Sequence, residues 1–402
     1  MRLRNQDFYE EYVFTCNRCK SCTITDDERC LAVCPSYDLY GFFTDCGGGK
    51  AHIAQKILEG SGTIGPEVCE AVYRCLLCQA CKEGCPVTID TYLVIRDLRE
   101  AMVEKGVGPV GRQKEVLASL AAAGHPHRCD GVQAGAGGRT EWLQGLKVKD
   151  ASEERCAYLL YIGCSVAGQD GAAGATPAAA VRLLARSGLD VGVLAGREQC
   201  CGAVAAELGD RKLFLRLARN NIEAIRRTGA HTVVTICPLC HAYLKREYLE
   251  DEDLGWSAEI DVVHITEVLA DVAGKGLIEP VREIRKKVTY HDPCHLGRHS
   301  QVSEAPRALI AAIPGVELVE MQRTRGHAYC CGGGTGVRLA FPRLSEAAVA
   351  ARLEEAQLTG AEMLLTACPQ CRRQFEEGLK ASRGSARLEI GDVVTLFEAS
   401  TR

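Results

Sequence analysis

Ten cysteines in the last two-thirds of the chain form one pattern that occurs twice. Each copy begins with a single cysteine, continues 36 residues later with Cys-Cys-Gly, and ends with Cys-Pro-x-Cys. The opening cysteines, Cys164 and Cys294, are separated by 130 positions. Matching intervals at ten thiols indicate a duplicated cofactor site. The two predicted sets are Cys164, Cys200, Cys201, Cys237 and Cys240, and Cys294, Cys330, Cys331, Cys368 and Cys371.

Each copy holds one thiol more than the four that an ordinary cubane [4Fe–4S] cluster takes from a protein. Adjacent cysteines diverge along an extended backbone, so Cys200 and Cys201 do not suit a single tetrahedral ion. They suit a polynuclear cluster in which each thiolate binds a different iron. Gly202 and Gly332 would let the backbone turn closely around such a cluster. The pattern therefore predicts two unusual iron–sulfur centres.

Both copies alternate short apolar strands with helices. In the first copy, apolar segments at 157–163 and 231–236 directly precede Cys164 and Cys237, and a long helical segment covers 208–227. This alternation predicts parallel sheets covered by helices on both faces. Ligands of such sheets bind outside the carboxyl ends of the strands. We therefore expect two duplicated α/β domains with their cysteines at the carboxyl edges of parallel sheets.

The first 115 residues hold eleven further cysteines and predict a different module. The run from Cys75 to Cys85-Pro86 has the spacing of bacterial ferredoxins, in which the cysteine before proline binds the neighbouring cubane. A related run begins at Cys16 and ends, after an insertion, at Cys34-Pro35. The predicted ligands are Cys16, Cys19, Cys22 and Cys85 for one cubane, and Cys34, Cys75, Cys78 and Cys81 for the other.

Cys30 leaves an alternative open for the first cubane, because Cys30-x3-Cys34-Pro also fits the end of the motif. The ligand set would then contain Cys19, Cys22 and Cys30. Zinc is a further alternative, but zinc takes four ligands and shares no proline-flanked cysteine between sites. Four cysteines fit no motif, and we expect small buried hydrophobic side chains there. These are Cys46, Cys69, Cys129 and Cys156.

The predicted organisation is α+β overall. Helical patterning at 51–59 favours a helix-rich ferredoxin domain over a compact two-hairpin module. The Gly47-Gly48-Gly49-Lys50 segment resembles part of a phosphate loop but lacks its earlier glycine, so we expect a tight turn. The predicted units are a helical two-cluster ferredoxin-like domain at 1–115, a linker at 116–153, and α/β domains at 154–278 and 279–402.

The composition of the chain limits its possible binding partners and its possible location in the cell. A net charge of -4 does not favour nucleic acid, and no apolar run reaches the roughly 20 residues that span a bilayer. The first residues lack the apolar stretch of a secretory signal, so 23 cysteines indicate metal or redox use rather than disulfides. We expect a cytoplasmic protein that could associate peripherally with a membrane complex. The sequence shows no flavin or nicotinamide motif, so electrons must be exchanged with another protein.

The two five-cysteine motifs behind a ferredoxin module resemble the CCG-domain iron–sulfur oxidoreductases, in particular the heterodisulfide reductase D type. Similar architectures occur in the DsrK protein and in iron–sulfur subunits of glycolate oxidase and of the tungsten benzoyl-CoA reductase complex. The resemblance implies two cubane and two non-cubane [4Fe–4S] clusters, the latter pair cleaving a disulfide reductively. It also implies a flavoprotein, a cytochrome b or a ferredoxin-type donor as partner. The alternatives are an electron-relay subunit without a disulfide substrate, and the partner of a flavin-dependent 2-hydroxy-acid oxidase.

His295 directly follows Cys294 in a phrase, Tyr290 to Leu296, that is typical of this family. The resemblance implies that His295 supplies protons beside the second non-cubane centre, as the predicted catalytic residue. A lone histidine is more often a hydrogen-bonded structural residue, which is the alternative for His295. His241, directly after Cys240, is the weaker candidate for the same role.

Overall fold

The computed structural model describes residues 13–126, 143, 145–166, 175–194, 197–256, 258–334, 336–382 and 388–401. The N-terminal part is helical, as predicted. The helix expected at 51–59 begins earlier, because the three glycines form its first turn instead of the expected tight turn. Its helices are α1 (Pro35–Tyr40), α2 (Gly47–Leu58), α3 (Pro66–Tyr73), α4 (Ala80–Glu83), α5 (Thr91–Glu104) and α6 (Gln113–Ala123).

A first parallel sheet follows, with strand order β1-β3-β2-β4-β5. Its strands are β1 (Lys149–Asp150), β2 (Tyr158–Tyr161), β3 (Val191–Val193), β4 (Thr232–Thr235) and β5 (Asp261–His264). Its helices are α7 (Ala175–Arg186), α8 (Ala203–Glu207), α9 (Arg211–Thr228), α10 (Pro238–Ala242), α11 (Tyr248–Glu250) and α12 (Ile265–Gly274), with a π-helical segment at Tyr243–Glu247.

A second parallel sheet has the order β7-β6-β8-β9. Its strands are β6 (Lys286–His291), β7 (Val316–Leu318), β8 (Met363–Thr366) and β9 (Glu389–Asp392). Its helices are α13 (Cys294–Gly297), α14 (Glu304–Ala312), α15 (Val337–Ala340), α16 (Pro342–Leu358), α17 (Pro369–Ala381) and α18 (Val393–Ser400).

The two sheets confirm the predicted duplication. Strands β3-β2-β4-β5 of the first sheet correspond in order to β7-β6-β8-β9 of the second. The register also corresponds, since Tyr158 pairs with Thr232 in one sheet and Val288 pairs with Met363 in the other. The first sheet carries one additional edge strand, β1, which pairs with β3.

The central strands are buried because their sequences suit a sheet covered on both faces. Strand β4 reads Thr-Val-Val-Thr, and all four residues are buried. Such β-branched side chains are favoured on a pleated surface. Helix α9 covers the sheet with a stripe that includes Leu213 and Leu217. Asp210 caps its start by accepting a hydrogen bond from the Leu213 amide at 2.9 Å, and Gly229 ends it at φ 69.

Regular elements also occur inside the segment predicted as a linker. Helix α6 crosses position 115, and β1 lies within 116–153. The exact domain boundaries stay predictions. Of the helices in the described ranges, none is both long and apolar enough to cross a membrane.

The helical N-terminal part, which we call the ferredoxin domain after its cysteine spacing, packs directly against the first sheet domain. The hydroxyl groups of Tyr92 and Tyr243 lie 2.8 Å apart in this interface. The side chain of Arg99 is fully buried and donates to the carbonyl of Glu207 at 2.9 Å and to that of Cys75 at 2.6 Å. These bonds fix the position of a ferredoxin cysteine relative to the first repeat.

Candidate iron–sulfur sites

One cavity of about 130 Å³ brings the two repeats together, because all ten repeated cysteines line it. Cys164 and Cys237 follow the carboxyl ends of β2 and β4, while Cys294 and Cys368 follow those of β6 and β8. The cysteines therefore lie at the carboxyl edges of both sheets, as the sequence predicts. The two edges face a common space rather than two separate ones.

Within each repeat the five thiols contact one another in the same order. In both, the opening cysteine contacts the first of the adjacent pair, and the second of that pair contacts the last cysteine. The Sγ atoms of Cys331 and Cys371 are 3.3 Å apart. Such a continuous set of thiols fits a polynuclear iron–sulfur group. The contacts run Cys164–Cys200–Cys201–Cys240–Cys237 and Cys294–Cys330–Cys331–Cys371–Cys368.

The Cys-Cys-Gly turns require their glycines. Gly202 and Gly332 both have φ 82, a left-handed conformation that glycine adopts without steric cost. A Cβ at Gly202 would lie 3.0 Å from Cδ2 of Phe214, and one at Gly332 would lie 2.8 Å from the carbonyl oxygen of Ser345. The turn therefore brings both cysteines of each pair to the cavity wall.

The Cys-Pro-x-Cys segments form the first turns of α10 and α17. Cys237 and Cys368 are the N-cap residues, and a proline follows in the first turn of each helix. The Cys371 amide donates to Sγ of Cys368 at 3.5 Å. Contact with the Cys240 thiol lowers the pKa of Cys237 to about 6. A low pKa favours the thiolate that binds iron.

Two smaller cavities in the ferredoxin domain bring together the two predicted cubane sets. Cys81 lines both cavities. The described residues that line them do not include Cys30, which is exposed and donates its thiol to the Asp27 carbonyl at 3.6 Å. This grouping supports Cys16 over Cys30, and the ligand roles stay predictions. The sets are Cys16, Cys19, Cys22 and Cys85, and Cys34, Cys75, Cys78 and Cys81.

The glycines that begin α2 allow this helix to approach both cavities. A Cβ at Gly48 would lie 3.5 Å from Sγ of Cys22, and a Cβ at Gly47 would lie 2.9 Å from Sγ of Cys81. Cys46, the N-cap of α2, is buried as predicted, but its thiol contacts Cys22 instead of lying apart from the motifs. The triple glycine is therefore explained by close packing against the cysteines.

Lys50 was not recognised as a site residue from the sequence. Its side chain is only 1% exposed, and its ammonium donates to the carbonyls of Thr44 at 3.2 Å and Asp45 at 2.6 Å. Burial raises the pKa of Cys34 to about 12, and the positive charge of Lys50 opposes that increase. The signal in the sequence is a lysine directly after a glycine run between two cysteine motifs.

The second ferredoxin cavity adjoins the second repeat. The Cys78 thiol contacts the Cys330 thiol, which lowers the pKa of Cys78 to about 6. Arg298 donates its Nε to the Cys78 carbonyl at 2.5 Å, and His299 donates its Nε2 to the Leu77 carbonyl at 2.9 Å. Two adjacent residues of the second repeat thus hold the loop that carries a predicted cubane ligand. Neither was singled out as a site residue from the sequence.

His295 lies at the boundary between the two repeats and lines the shared cavity. Its Nδ1 is 3.4 Å from Sγ of Cys294, and its Nε2 is 3.0 Å from Oε1 of Glu207. Burial alone would lower the pKa of His295, but Cys294 and Glu207 outweigh it and raise that pKa well above its ordinary value. Glu207 was missed from the sequence, where its signal is a lone acid in the alanine-rich run 203–208.

His241 occupies a different environment. It is not among the described residues that line the shared cavity, and its Nδ1 lies 2.9 Å from Oγ of Ser300. Burial lowers its pKa to about 3, so the ring is neutral. These contacts favour a structural role. Of the other cysteines outside the motifs, Cys69 and Cys156 are buried as expected, and Cys129 lies outside the described residues.

Comparisons with known proteins agree with this arrangement. The CCG family, a cysteine-rich domain, matches residues 158–245 and 288–376. The D-type subunit of heterodisulfide reductase from Methanosarcina acetivorans is 34% identical over 351 residues, which are 87% of this chain and 80% of that protein. Its counterpart in Methanosarcina barkeri is 33% identical over 329 residues, covering 81% of this chain and 76% of the relative.

Another relative, which is named as a quinone oxidoreductase, is matched over a smaller share of its own length. The EtfAB:quinone oxidoreductase of Syntrophomonas wolfei is 29% identical over 82% of this chain and 46% of that protein. A further relative, from Bacillus subtilis, is named a probable iron–sulfur-binding oxidoreductase and is 29% identical over 88% of this chain and 50% of that protein. The names of these relatives are those of oxidoreductases or their subunits. The chain is therefore an iron–sulfur oxidoreductase subunit that belongs to the CCG-domain family, together with the D-type subunits of heterodisulfide reductases.

Proposed function

We propose that the chain reduces a disulfide within a multi-subunit redox complex, using two cubane and two non-cubane [4Fe–4S] clusters. When bound, such clusters take up and release single electrons. The protein then provides orientation and excludes water. The observation that carries the proposal is the shared cavity lined by both complete five-thiol sets.

A shared cavity suits the stoichiometry of disulfide cleavage. Converting R–S–S–R′ into RSH and R′SH consumes two electrons and two protons. Cys237 and Cys368, the N-cap residues of corresponding helices, line the same cavity. Both sulfur atoms of a disulfide in the cavity could therefore contact a metal-binding set at the same time. Leu76, Val116 and Leu239 give the cavity apolar walls that limit water.

His295 and Glu207 are proposed to supply a proton. The carboxylate of Glu207 is fully buried and fixes Nε2 of the ring, while Nδ1 faces Sγ of Cys294. A protonated imidazole between a thiolate and a carboxylate is held in place by both charges. It can deliver a proton to a product thiolate at this end of the cavity.

The order of the sites supports electron entry through the ferredoxin domain. Cys19 of the first predicted cubane set is exposed, and Cys81 lines both ferredoxin cavities. Cys78 then contacts Cys330 in the second repeat. A flavoprotein, a cytochrome b or a ferredoxin-type donor would bind near Cys19. We propose a cytoplasmic location, at the periphery of a membrane complex where the partner is a membrane protein.

A second candidate is an electron-relay subunit without a disulfide substrate. The similarity to an EtfAB:quinone oxidoreductase favours it, because that name contains no disulfide. The two candidates share the clusters and differ only in whether sulfur chemistry takes place in the shared cavity.

The native complex, purified without oxygen, separates them. With a reduced viologen dye as donor, the complex should cleave a member of a panel of low-molecular-weight disulfides and polysulfides. Cys237→Ser and Cys368→Ser should each abolish cleavage, while dye electrons still reduce the ferredoxin clusters. Cys69→Ala, at a buried thiol outside the motifs, is the control and should retain activity. A complex that transfers electrons but cleaves no member of the panel supports the relay.

A further inference from the structure

A buried chain of polar side chains ends at the second five-thiol set. Arg352 is fully buried and donates to Oε2 of Glu355 at 2.8 Å. Its Nε donates to Nδ1 of His291 at 3.1 Å. His291, the last residue of β6, is also fully buried. These residues connect the body of the second repeat to its thiols.

The guanidinium determines which nitrogen of His291 carries the proton. Arginine can only donate hydrogen bonds, so Nδ1 must accept through its lone pair. An imidazole that accepts a hydrogen bond at Nδ1 cannot be the doubly protonated cation, so the ring is neutral. A neutral imidazole with a lone pair on Nδ1 carries its proton on Nε2. Among the residues that the structure describes, Nε2 is buried and has no hydrogen-bond partner.

The thiols are the acceptors beside this ring. A ring nitrogen of His291 and the Sγ atoms of Cys331 and Cys371 all lie within 4.8 Å of one another. The ring also packs edge-on against Phe375, with a centroid distance of 4.9 Å. An N–H group in such a place is stabilised by donating to a thiolate sulfur, because leaving it unbonded would carry the full cost of desolvation.

We propose that His291 donates its Nε2–H to the sulfur of Cys331 and thereby makes the second non-cubane centre easier to reduce than the first. The inference rests on the proposed cluster at that position. Hydrogen bonds to the sulfur ligands stabilise the more negative, reduced form of an iron–sulfur centre. His291 is a hydrogen-bond donor and not an iron ligand, because iron on Nε2 would force the proton onto Nδ1, where Arg352 already donates.

The first repeat has a different residue at the corresponding position, 130 places earlier. Tyr161 donates its hydroxyl to the Gln199 carbonyl at 2.6 Å. Both repeats hold a buried carboxylate near the opening cysteine, because Glu198 accepts from the Gly163 amide at 2.5 Å and Asp292 lies two residues before Cys294. A carboxylate disfavours additional negative charge nearby. A carboxylate is therefore common to both repeats, and the N–H donor of His291 is the difference that makes the second centre easier to reduce than the first.

Redox titration of the purified full-length protein, followed by EPR spectroscopy with iron analysis, tests the inference. His291→Leu should keep its iron, and one non-cubane signal should shift to lower potential. The expected loss is about tenfold in the reduction equilibrium, or about 59 mV for a one-electron couple. His291→Gln, which retains an N–H donor, should shift less. Tyr161→Phe is the matched control and should shift no signal.

Arg352→Gln provides an independent measurement if His291→Leu fails to fold. Without the guanidinium the proton is free to move to Nδ1, so the same signal should shift in the same direction. An unchanged potential in His291→Leu would overturn the inference. Loss of the second centre's iron from both His291 variants would also overturn it, since it would identify a ligand. The titration needs no disulfide, so a failure of the proposed reductase activity is distinguishable from a failure here.

Discussion

In the first repeat the residue after the opening cysteine is Ser165, whose hydroxyl lies 3.7 Å from Sγ of Cys237. In the second repeat that residue is His295, which reaches across the shared cavity to Glu207 of the first repeat. The thiol contacts of the two repeats are otherwise alike in their order. The two repeats have therefore kept the same arrangement of thiols, while the side chains beside the thiols have diverged.

The repeats also differ in what adjoins them. The second repeat contacts a ferredoxin thiol through Cys330 and holds the same loop with Arg298 and His299. In the first repeat, the carbonyl of Glu207 instead accepts a hydrogen bond from the guanidinium of Arg99. We therefore propose a division of roles, in which the second repeat receives electrons and protons and the first contributes the carboxylate that orients the proposed proton donor.

The largest expected effect tests this division of roles. His295→Ala should retain all of its iron, because the imidazole lies outside the thiol set. Disulfide cleavage should slow by about 10²–10⁴-fold, as expected for the loss of a general acid. Reduction of the clusters by a dye should be nearly unchanged. Steady-state rates with dye and disulfide, together with iron analysis, measure both.

The matched change in the first repeat is Ser165→Ala, which should have a much smaller effect because a neutral hydroxyl provides no acidic proton. Glu207→Gln should weaken cleavage by about 10–100-fold, since it leaves the ring in place but removes the charge that orients it. If His295→Ala retained full activity in the native complex, His295 would be a structural residue and the division of roles would be wrong.

The features that the sequence predicts depend on residues close together in the chain, whereas the contacts that it misses join residues far apart in the chain. The thiol sets, the strands before them and the parallel sheets follow from local spacing and apolar runs, so the sequence was sufficient for them. Glu207 lies 88 positions from His295, and Cys78 lies 220 positions from Arg298. Such contacts depend on how separate domains pack. Lys50 was missed because a buried lysine in a helix has the same local pattern as an exposed one.

An effect of intermediate size concerns the iron content of the ferredoxin domain and of the two repeats. Two cubanes and two four-iron centres predict about 16 irons per chain. Cys16→Ser should lose or convert one cubane, because its thiol lines the cavity with Cys22 and Cys85. Cys30→Ser should keep all the iron, because Cys30 is exposed outside that cavity. Anaerobic iron and sulfide analysis with EPR distinguishes the two.

The opposite result, with iron lost from Cys30→Ser and kept in Cys16→Ser, would move the ligand set to Cys19, Cys22 and Cys30. An iron content near 8 in the unmodified protein would mean that the repeats do not carry four-iron centres.

The smallest expected effect is a difference in thermal stability between substitutions in the two Cys-Cys-Gly turns. Both glycines have φ 82, so Gly202→Ala and Gly332→Ala each place a side chain in the left-handed region at a cost of about 1–2 kcal/mol. Their surroundings differ, because the new Cβ would lie 3.0 Å from the Phe214 ring and 3.2 Å from the Phe214 carbonyl oxygen in the first repeat, but 2.8 Å from the Ser345 carbonyl oxygen in the second. The ring edge can rotate away and the 3.2 Å contact needs only a small shift, whereas the closer carbonyl of Ser345 is held within helix α16 and cannot move alone. Gly332→Ala should therefore unfold at the lower temperature when both variants are heated at one fixed rate. Equal transition temperatures would mean that the second turn is no more tightly packed than the first.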